Sequence, residues 1–215
     1  MTTTAAMIAR QQPLASPFGY RSSASEVLAG HDLTGQRAIV TGGYSGLGLE
    51  TVKALTAAGA TVVVPARRPE TAAQALAGVQ GVTVAPMDLG DLDSVAAFTA
   101  DIRAAGTPIN LVINVAGVMA SPYTRTPQGW ESQFGINHLG HFALTVGLLP
   151  VLGPKGRVVN VASAVHGRGK AANVLETLTT DRAFTSRSYS PYKAYDDSKL
   201  ANMLFTRGLT KRLAP

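Results

Sequence analysis

The sequence predicts an α/β fold in which helices cover both faces of a doubly wound parallel sheet. Two observations carry this prediction: from residue 37 onwards, short apolar runs alternate with segments of helical spacing, and glycines fall between them. Strands separated by helices are joined by crossovers, which makes neighbouring strands parallel. A chain of 215 residues, 46% hydrophobic and only 15% charged, is large and apolar enough for one domain with a core.

Five strands are predicted from apolar or β-branched runs. Their predicted spans are 38–40, 61–64, 82–87, 111–115 and 157–161. The second run, Thr-Val-Val-Val, is typical of a strand buried on both faces, where no polar alternation is needed. Ligands of such sheets bind beyond the carboxyl ends of the strands, so residues that directly follow each run are candidates for a site.

Three helices are predicted by capping signals as well as by apolar spacing. Asp91 is a suitable N-cap for a helix over 91–104. Thr126 and Pro127 predict the N-cap and first residue of a long helix over 127–152. Ser190 and Pro191 predict the same arrangement for a final helix that ends near residue 213.

The remaining segments complete the predicted order. Shorter helices are expected over 24–29, 46–58 and 71–76. Residues 1–30, rich in Thr, Ala, Ser and Pro, are interpreted as an N-terminal arm, and 31–215 as one dinucleotide-binding and catalytic domain. Residues 164–189 are interpreted as a polar, basic connection without a periodic pattern.

The charge and composition argue against several classes of partner. The net charge is +6, but the 19 Lys and Arg residues are scattered, which is typical of a solvated surface rather than of a nucleic-acid site. Part of the excess fits a phosphorylated cofactor. There is no cysteine, and His138 and His141 have no evident third ligand, so no metal site is expected.

No membrane partner is expected from the sequence. The first 14 residues lack the apolar core of a signal peptide. The longest apolar stretch, near 142–152, is too short to span a bilayer and contains Pro150. These observations predict a cytoplasmic protein.

A glycine-rich turn follows the first predicted strand. It reads Thr41-Gly42-Gly43-Tyr44-Ser45-Gly46-Leu47-Gly48. Glycines permit a tight turn and close approach of a pyrophosphate, and the helix that follows offers free N–H groups. A tight connection without a ligand is the alternative, but the place between a strand and a helix favours a Rossmann-type phosphate site.

The spacing of this turn, T-G-x-x-x-G-x-G, resembles the short-chain dehydrogenase/reductase family. Four further segments resemble that family's motifs in the same order: Asn114-Val115-Ala116-Gly117, Asn137-His138-Leu139-Gly140-His141-Phe142, Val159-Asn160-Val161-Ala162-Ser163 and Tyr195-Asp196-Asp197-Ser198-Lys199. The resemblance extends from about residue 33 to the end of the chain. The segments 137–142 and 198–202 are most similar to the retinol-dehydrogenase-like branch.

Two departures from the family pattern stand out. Val115 occupies the place of the second Asn of N-N-A-G, so the strand should persist while a local polar contact is lost. The chain ends at Pro215, whereas family members usually continue through a sixth strand, a substrate-covering helical segment and a seventh strand. The expectation is therefore a C-terminally incomplete sheet.

The resemblance implies four catalytic residues: Asn137, Ser163, Tyr195 and Lys199. Tyr195 would be the acid/base, and the charge of Lys199, four residues later on the same helix face, would favour the phenolate. Lys199 would also bind the nicotinamide ribose, and Ser163 the substrate oxygen. Asn137 would hold a water of a proton relay.

A second Y-x-x-x-K pair, Tyr189 and Lys193, competes with Tyr195 for this assignment. Pro191 lies between its members and marks the first helical turn, so Tyr189 should precede the helix. Tyr195 alone is followed by the S-K-L-A-N extension. Tyr189 and Tyr192 are therefore interpreted as loop or pocket-wall aromatics.

The cofactor should be NADP, with NAD as the alternative. The end of the second strand carries Arg67 and Arg68, and no acid precedes Glu70. An Asp or Glu there binds the 2′-hydroxyl of NAD, whereas an Arg accommodates a 2′-phosphate. By resemblance, Asp88 contacts the adenine with Leu89 beside it. The other expected contacts, besides Tyr195 and Lys199, are Gly42, Tyr44, Ser45, Gly46, Leu47, Gly48, Asn114, Ala116 and Gly117.

The resemblance implies an oxidoreductase that transfers a hydride between the nicotinamide and an alcohol, aldehyde or ketone. A non-catalytic dinucleotide sensor and an inactive fragment of such an enzyme are the alternatives. Sensors of this fold typically lose the Tyr or the Lys, so the four filled positions favour an enzyme. A homo-oligomer is expected by analogy, because family members often dimerise through their long helices.

Overall fold

The computed structural model describes residues 15–186 and 188–213. Its strands are β1 (Arg37–Thr41), β2 (Thr61–Ala66), β3 (Val82–Pro86), β4 (Ile109–Asn114) and β5 (Leu152–Asn160). Its helices are α1 (Ala24–Leu28), α2 (Gly46–Ala57), α3 (Pro69–Ala75), α4 (Leu92–Ala104), α5 (Ser132–Val151), α6 (Ala171–Thr179) and α7 (Pro191–Leu213). Of the predicted arm, residues 1–14 lie outside the described residues.

The five strands form one parallel sheet in the order β3-β2-β1-β4-β5. The strand order reverses between β1 and β4, because β1 pairs with both β2 and β4. This reversal is the switch point at which parallel sheets bind ligands. The predicted doubly wound fold is confirmed, and β5 lies at an edge of the sheet among the described residues.

Apolar side chains alternate between the two faces of the sheet. Ile39 belongs to one buried cluster, which includes Phe98 of α4 and Leu144 of α5. Val40, the next residue of β1, belongs to the opposite cluster with Val52 of α2. Successive side chains of a strand point to opposite faces, so a continuous apolar run is what a sheet covered on both sides requires.

The predicted start of α5 is wrong. Thr126 does not cap a helix: residues 126–130 form a turn in which the Gly129 N–H donates to the Thr126 carbonyl at 2.9 Å. The helix begins at Ser132 instead, where the Glu131 carboxylate accepts the N–H groups of Gln133 and Phe134. A carboxylate that binds two backbone donors at a helix N-terminus is a stronger cap than the Thr126 hydroxyl.

The interior of α5 is not regular. It changes from α-helix to π-helix over Gly135–Gly140 and returns to α-helix over His141–Leu148. A one-residue widening of the helical turn is frequently found at functional sites. The π segment contains Asn137, one of the predicted catalytic residues.

The segment 164–189 is more ordered than predicted. A 3-10 helix spans Ala164–Arg168, and α6 follows it. The Asp197 carboxylate of α7 explains the start of α6, because it accepts the Lys170 N–H and the Asn173 side-chain amide at 2.9 Å each. The anchor lies 24 to 27 residues away in sequence, so a search for local periodicity missed it.

By length and hydropathy alone, α5 could cross a membrane. Its most apolar window has a mean hydropathy of 1.2, and 50% of that window is buried inside the structure. Leu144 and Leu148 of this helix pack in the same cluster as the sheet residues Ile39 and Val112. A core helix with this packing passes the same test, and the expectation that the chain has no membrane partner stays a prediction.

Candidate functional site

A cavity of about 390 Å³ lies beyond the carboxyl ends of the first four strands. It contains eleven of the predicted cofactor residues: Gly42, Tyr44, Ser45, Gly46, Leu47, Gly48, Arg67, Asp88, Leu89, Ala116 and Gly117. Sequence reasoning did not predict the other lining residues as cofactor contacts: Pro65, Ala66, Met87, Val115, Val118 and Ile136. These are apolar and carry no chemical signature, so only the fold could identify them.

The glycines of the turn are required by close approach. A Cβ at Gly48 would collide with the Gly42 carbonyl, so only glycine lets α2 begin this close to β1. Gly42 has a φ of 66°, which disfavours other residues, and a Cβ there would lie 3.0 Å from the Ala116 Cα. The turn therefore brings the ends of β1, α2 and β4 together around one space.

The N-terminus of α2 is open at this cavity. Within the described part of the chain, Ser45 makes no side-chain cap to the first turn of the helix. The first N–H groups of a helix have no intrahelical partner, and they attract anions. Gly46, Leu47 and Gly48, which carry these groups, line the cavity. The turn and the open helix end together fit a pyrophosphate.

The two arginines after β2 differ in position. Arg67 lines the cavity, whereas Arg68 is the N-cap residue of α3 and is not part of the lining. Both are exposed, and among the described residues Arg67 has no carboxylate within ion-pair distance. Asp88 also lines the cavity, and its carboxylate accepts the Gly90 N–H at 2.8 Å.

Asn137 and Lys199 meet next to Gly117 at the end of this cavity. A Cβ at Gly117 would lie 3.2 Å from the Asn137 Oδ1 and 3.6 Å from the Lys199 Nζ. The Asn137 amide bonds both backbone groups of Val118, at 2.8 and 2.9 Å. Its Nδ2 also donates to the Ser198 Oγ of α7 at 3.1 Å. These contacts fix the Asn137 side chain between the floor of the cavity and α7.

Lys199 and Tyr195 are adjacent on α7. The Lys199 Nζ lies 5.5 Å from the centre of the Tyr195 ring and donates to the Val161 carbonyl at 3.1 Å. Burial lowers the pKa of the Lys199 ammonium below its usual value. Tyr195 is half-buried, and Ser163, just past β5, accepts the Val165 N–H at 3.4 Å. Asn137 and Lys199 thus lie behind Gly117, which lines the cavity, and Tyr195 lies next to Lys199. The cavity lining itself includes none of the four predicted catalytic residues.

Tyr189 has a different environment from Tyr195. It precedes α7, as predicted, and its hydroxyl donates to the Ser121 carbonyl at 3.0 Å and accepts from the Gln133 side chain at 2.9 Å. Burial and the nearby Glu131 carboxylate raise the pKa of the Tyr189 phenol. These hydrogen bonds connect two loops, which agrees with the interpretation of Tyr189 as a loop aromatic.

Asn114 lies below the site rather than in it. Its side-chain amide donates to Thr145 and to Asn160, at 3.0 and 2.7 Å, and links β4 to α5 and β5. At the departure from the family pattern, the Val115 N–H is bound by the Thr41 hydroxyl at 3.0 Å. Within residues 15–186 and 188–213, no three His, Asp or Glu side chains are placed to hold a metal ion.

Three functional candidates were missed by sequence reasoning: Thr41, His141 and Asn202. All three are buried. The side chains of Thr41 and His141 hydrogen-bond to each other, and the Asn202 side-chain amide donates to the Asn137 carbonyl. Thr41 and His141 stood within recognised motifs, but no role followed from their spacing. The Thr41–His141 and Asn202–Asn137 contacts join residues 100 and 65 positions apart, which no local pattern reveals.

Comparison with known proteins points to one family. The family model for short chain dehydrogenase matches residues 36–175. A probable oxidoreductase of Streptomyces lividans is 45% identical over 185 residues, which cover 82% of this chain and 59% of that protein. Retinol dehydrogenase 11 of Mus musculus is 42% identical over 189 residues, covering 84% of this chain and 58% of that protein. The chain thus spans less than two thirds of the length of these relatives.

Solved structures give the same result. A protein from Mycobacterium paratuberculosis, described as a putative uncharacterized protein, is 42% identical with a TM-score of 0.77; the match covers 85% of this chain and 64% of that one. A complex of Pseudomonas aeruginosa RhlG with NADP is 26% identical with a TM-score of 0.64; the match covers 85% and 68%. With its parallel sheet, its glycine turn and these relatives, the chain belongs to the short-chain dehydrogenase family.

Proposed function

We propose that this chain carries the reaction centre of an NADP(H)-dependent oxidoreductase that interconverts an alcohol and an aldehyde or ketone. The observation that carries the proposal is the meeting of Asn137 and Lys199 beside Gly117, which lines the cavity. A dinucleotide cavity alone serves binding proteins and enzymes equally. A buried ammonium and a phenol next to it supply the proton chemistry of an enzyme.

The residues present fit a nicotinamide dinucleotide. The open N-terminus of α2 and the glycine turn would hold the pyrophosphate. Asp88 and Leu89 would border the adenine, and Arg67 the 2′-phosphate. Lys199 would hold the nicotinamide ribose. When bound, the cofactor supplies or accepts the hydride.

The chain's own residues transfer the proton and bind the substrate oxygen. In the reducing direction Tyr195 donates its phenolic proton to the substrate oxygen, which becomes the alcohol oxygen. The Lys199 ammonium stabilises the phenolate that remains, because opposite charges attract strongly where water is excluded. The Ser163 hydroxyl hydrogen-bonds the same substrate oxygen. Asn137 keeps the end of the cavity and α7 at a fixed spacing through Val118 and Ser198.

NADP is preferred over NAD because of Arg67. Its guanidinium is exposed beside the cavity, and no described carboxylate competes for it. A guanidinium can bind a phosphate with two parallel hydrogen bonds, whereas it gains little from a ribose hydroxyl.

Fluorescence titration with both cofactors tests this proposal. NADPH should bind at least roughly tenfold more tightly than NADH, as one charge-assisted contact predicts. Arg67→Ala should remove most of that difference, whereas Arg68→Ala is the matched control and should keep it. Equal affinities for the two cofactors in the unmutated protein would contradict the NADP assignment.

A non-catalytic dinucleotide sensor is the second candidate. The exposed Arg67 and the open helix end would serve a sensor equally well, so cofactor affinity does not separate the two functions. Turnover of simple carbonyl compounds with NADPH separates them, because a sensor binds the cofactor and oxidises none. The filled positions of Asn137, Ser163, Tyr195 and Lys199 favour the enzyme.

Oligomeric state and location stay predictions. A homo-oligomer through α5 and α7 agrees with apolar side chains on those helices that are more than 40% exposed, namely Phe142, Val146 and Leu204. Light scattering after gel filtration measures the mass directly. The cytoplasmic location and the lack of a membrane partner rest on the sequence alone.

A further inference from the structure

A buried histidine joins two parts of the site that the proposed function uses separately. His141 is only 2% exposed and lies in α5, behind the cavity. Its Nε2 lies 2.9 Å from the Thr41 Oγ1 at the end of β1. Its Nδ1 lies 3.0 Å from the main-chain carbonyl of Asn137. The motif that contains His141 assigned it no role.

The partners of the ring determine which nitrogen carries the proton. A carbonyl oxygen only accepts hydrogen bonds, so Nδ1 must be protonated in order to bond Asn137. Burial lowers the pKa of the His141 imidazole to about 4, so the ring is neutral near pH 7 and Nε2 bears a lone pair. The Thr41 hydroxyl must therefore donate its proton to Nε2.

Every hydrogen-bonding position of the Thr41 hydroxyl is then used. Its oxygen accepts the Val115 N–H at 3.0 Å and the Ala116 N–H at 3.1 Å. A hydroxyl has one donor and two acceptor positions, and His141 takes the donor. Without an acceptor at Nε2 the orientation of the Thr41 hydroxyl is not fixed, and its hydrogen bonds to the Val115 and Ala116 N–H groups weaken. Val115 and Ala116 line the cofactor cavity.

The other side of the ring acts on the π segment of α5. The Asn137 carbonyl receives His141 Nδ1 and also the Asn202 side-chain amide, which lies 3.0 Å away on α7. Asn202 is in turn held by His138 through a contact of 3.1 Å. The carbonyl is thus fixed from two sides, which fixes the Cα from which the Asn137 side chain extends.

We propose that His141 is a positioning residue. Through Nε2 and Thr41 it fixes the Val115–Ala116 backbone of the cofactor cavity, and through Nδ1 it fixes the Asn137 segment of α5. This inference deepens the proposed function and rests on it for its effect on turnover. It assigns His141 no contact with substrate or cofactor. The role requires both ring nitrogens, so substitutions that keep only one of the two hydrogen bonds can separate their effects.

Two conservative variants separate the two contacts. The amide of Asn can take the place of Nδ1, so His141→Asn keeps the donor to Asn137 and loses the acceptor for Thr41. The amide of Gln reaches the place of Nε2, so His141→Gln keeps the acceptor for Thr41 and loses the donor to Asn137. His31, which is exposed, offers the same two substitutions as matched controls.

The variants should split cofactor affinity from turnover. His141→Asn should weaken the Kd for NADPH by roughly tenfold, the effect of one lost buried hydrogen bond. His141→Gln should keep the Kd within about twofold and lower kcat by roughly tenfold on the same ground. The His31 variants should change neither. A purely structural role would lower the melting temperature of both His141 variants without this split, and that result would overturn the proposal.

Nitrogen spectroscopy of the unmutated protein tests the inference without activity. Long-range ¹H–¹⁵N correlations distinguish the neutral tautomer protonated at Nδ1 from the one protonated at Nε2. Through-bond correlation of the ring with its own backbone assigns the His141 signal in the unmutated protein, and it should show the Nδ1-protonated form at pH 7. An Nε2-protonated ring would overturn the inference even if the variants fail to fold. If the protein binds neither cofactor but shows this tautomer, the proposed function fails and the geometry of His141 stands.

Discussion

The proposed cofactor region, around the glycine turn, and the proposed catalytic region, where α5 meets α7, are built by different means. Around the glycine turn, the cavity is shaped by closely packed backbone and glycines, and the strands beneath it pack through two apolar clusters. Where α5 meets α7, the contacts are made by buried polar side chains, namely Asn137, His138, His141, Ser198, Lys199 and Asn202. The first region depends mainly on steric fit, with the buried Thr41 hydroxyl as its link to the second, and the second depends on completed hydrogen bonds.

This difference predicts how each region fails. Close-packed backbone tolerates no added atom, so a substitution in the cofactor region acts through collision. Removing one partner from a buried polar network costs more folding free energy than the pair contributed, because the remaining group stays desolvated without a hydrogen bond. The catalytic region should therefore be most sensitive to the removal of a polar atom, and the cofactor region to the addition of a carbon atom.

The largest expected effect is the removal of one oxygen from the catalytic region. Tyr195→Phe should lower kcat by about 10²- to 10⁴-fold, the usual contribution of a general acid. NADPH affinity should stay within about threefold, because the cavity lining does not include this hydroxyl. Stopped-flow kinetics and cofactor titration measure the two quantities.

Tyr189→Phe is the matched control for Tyr195→Phe. It removes the same atom from the loop tie with Ser121 and Gln133, so it should lower the melting temperature and keep most of the turnover. If the Tyr189 variant were inactive and the Tyr195 variant active, the assignment of the acid would be reversed. The comparison of regions would then need a different catalytic centre.

A single added methyl group should break the cofactor region. In Gly48→Ala the new Cβ meets the Gly42 carbonyl, which is backbone and cannot move aside. Overpacking of this kind costs about 1–3 kcal/mol of folding free energy, and α2 should shift away from the turn. Urea unfolding and NADPH titration should both show the loss.

Gly19→Ala is a suitable control, because a Cβ there has nothing within 4 Å. It should leave the unfolding midpoint unchanged. If Gly48→Ala were as stable as Gly19→Ala and bound NADPH normally, steric fit would not be what shapes this region.

The smallest expected effect is a pH dependence that belongs to the catalytic region. Burial lowers the pKa of His138 to about 4, against a usual value of 6.5. The unfolded chain therefore binds more protons below pH 6.5, and stability present above that pH is lost as pH falls towards 4. At pH 5.5 the loss from His138 should be about 1 kcal/mol relative to pH 7.5.

His138→Asn tests this pH dependence. An amide cannot be protonated in this range, and it keeps a donor for Asn202. The urea midpoint of the variant should fall less between pH 7.5 and 5.5 than that of the unmutated protein, whereas His31→Asn should leave the slope unchanged. An unaltered slope in His138→Asn would show that His138 does not contribute to acid sensitivity.

The sequence was most informative where local patterns and backbone requirements coincide. The alternation of strands and helices fixed the strand count, and the glycine spacing located the cavity. Asp91 was correctly assigned as a cap, because its carboxylate accepts the Asp93 N–H two residues later. The sequence was misleading at Thr126, which was predicted as the N-cap of α5, whereas Glu131 caps this helix. The Glu131 N–H bonds the Arg182 carbonyl, 51 positions later in the chain.

By itself, the sequence determined the family, the order of strands along the chain and the identity of the four catalytic candidates. The strand order follows from the alternation of apolar runs with helical spacing, whereas the family and the catalytic candidates follow from the resemblance of five short motifs to that family's. The tertiary structure decided which side chains meet: Arg67 rather than Arg68 at the cavity, Tyr189 in a loop tie, and His141 between Thr41 and Asn137. Buried polar groups must find partners wherever the fold brings them, and those partners lie far apart in the chain.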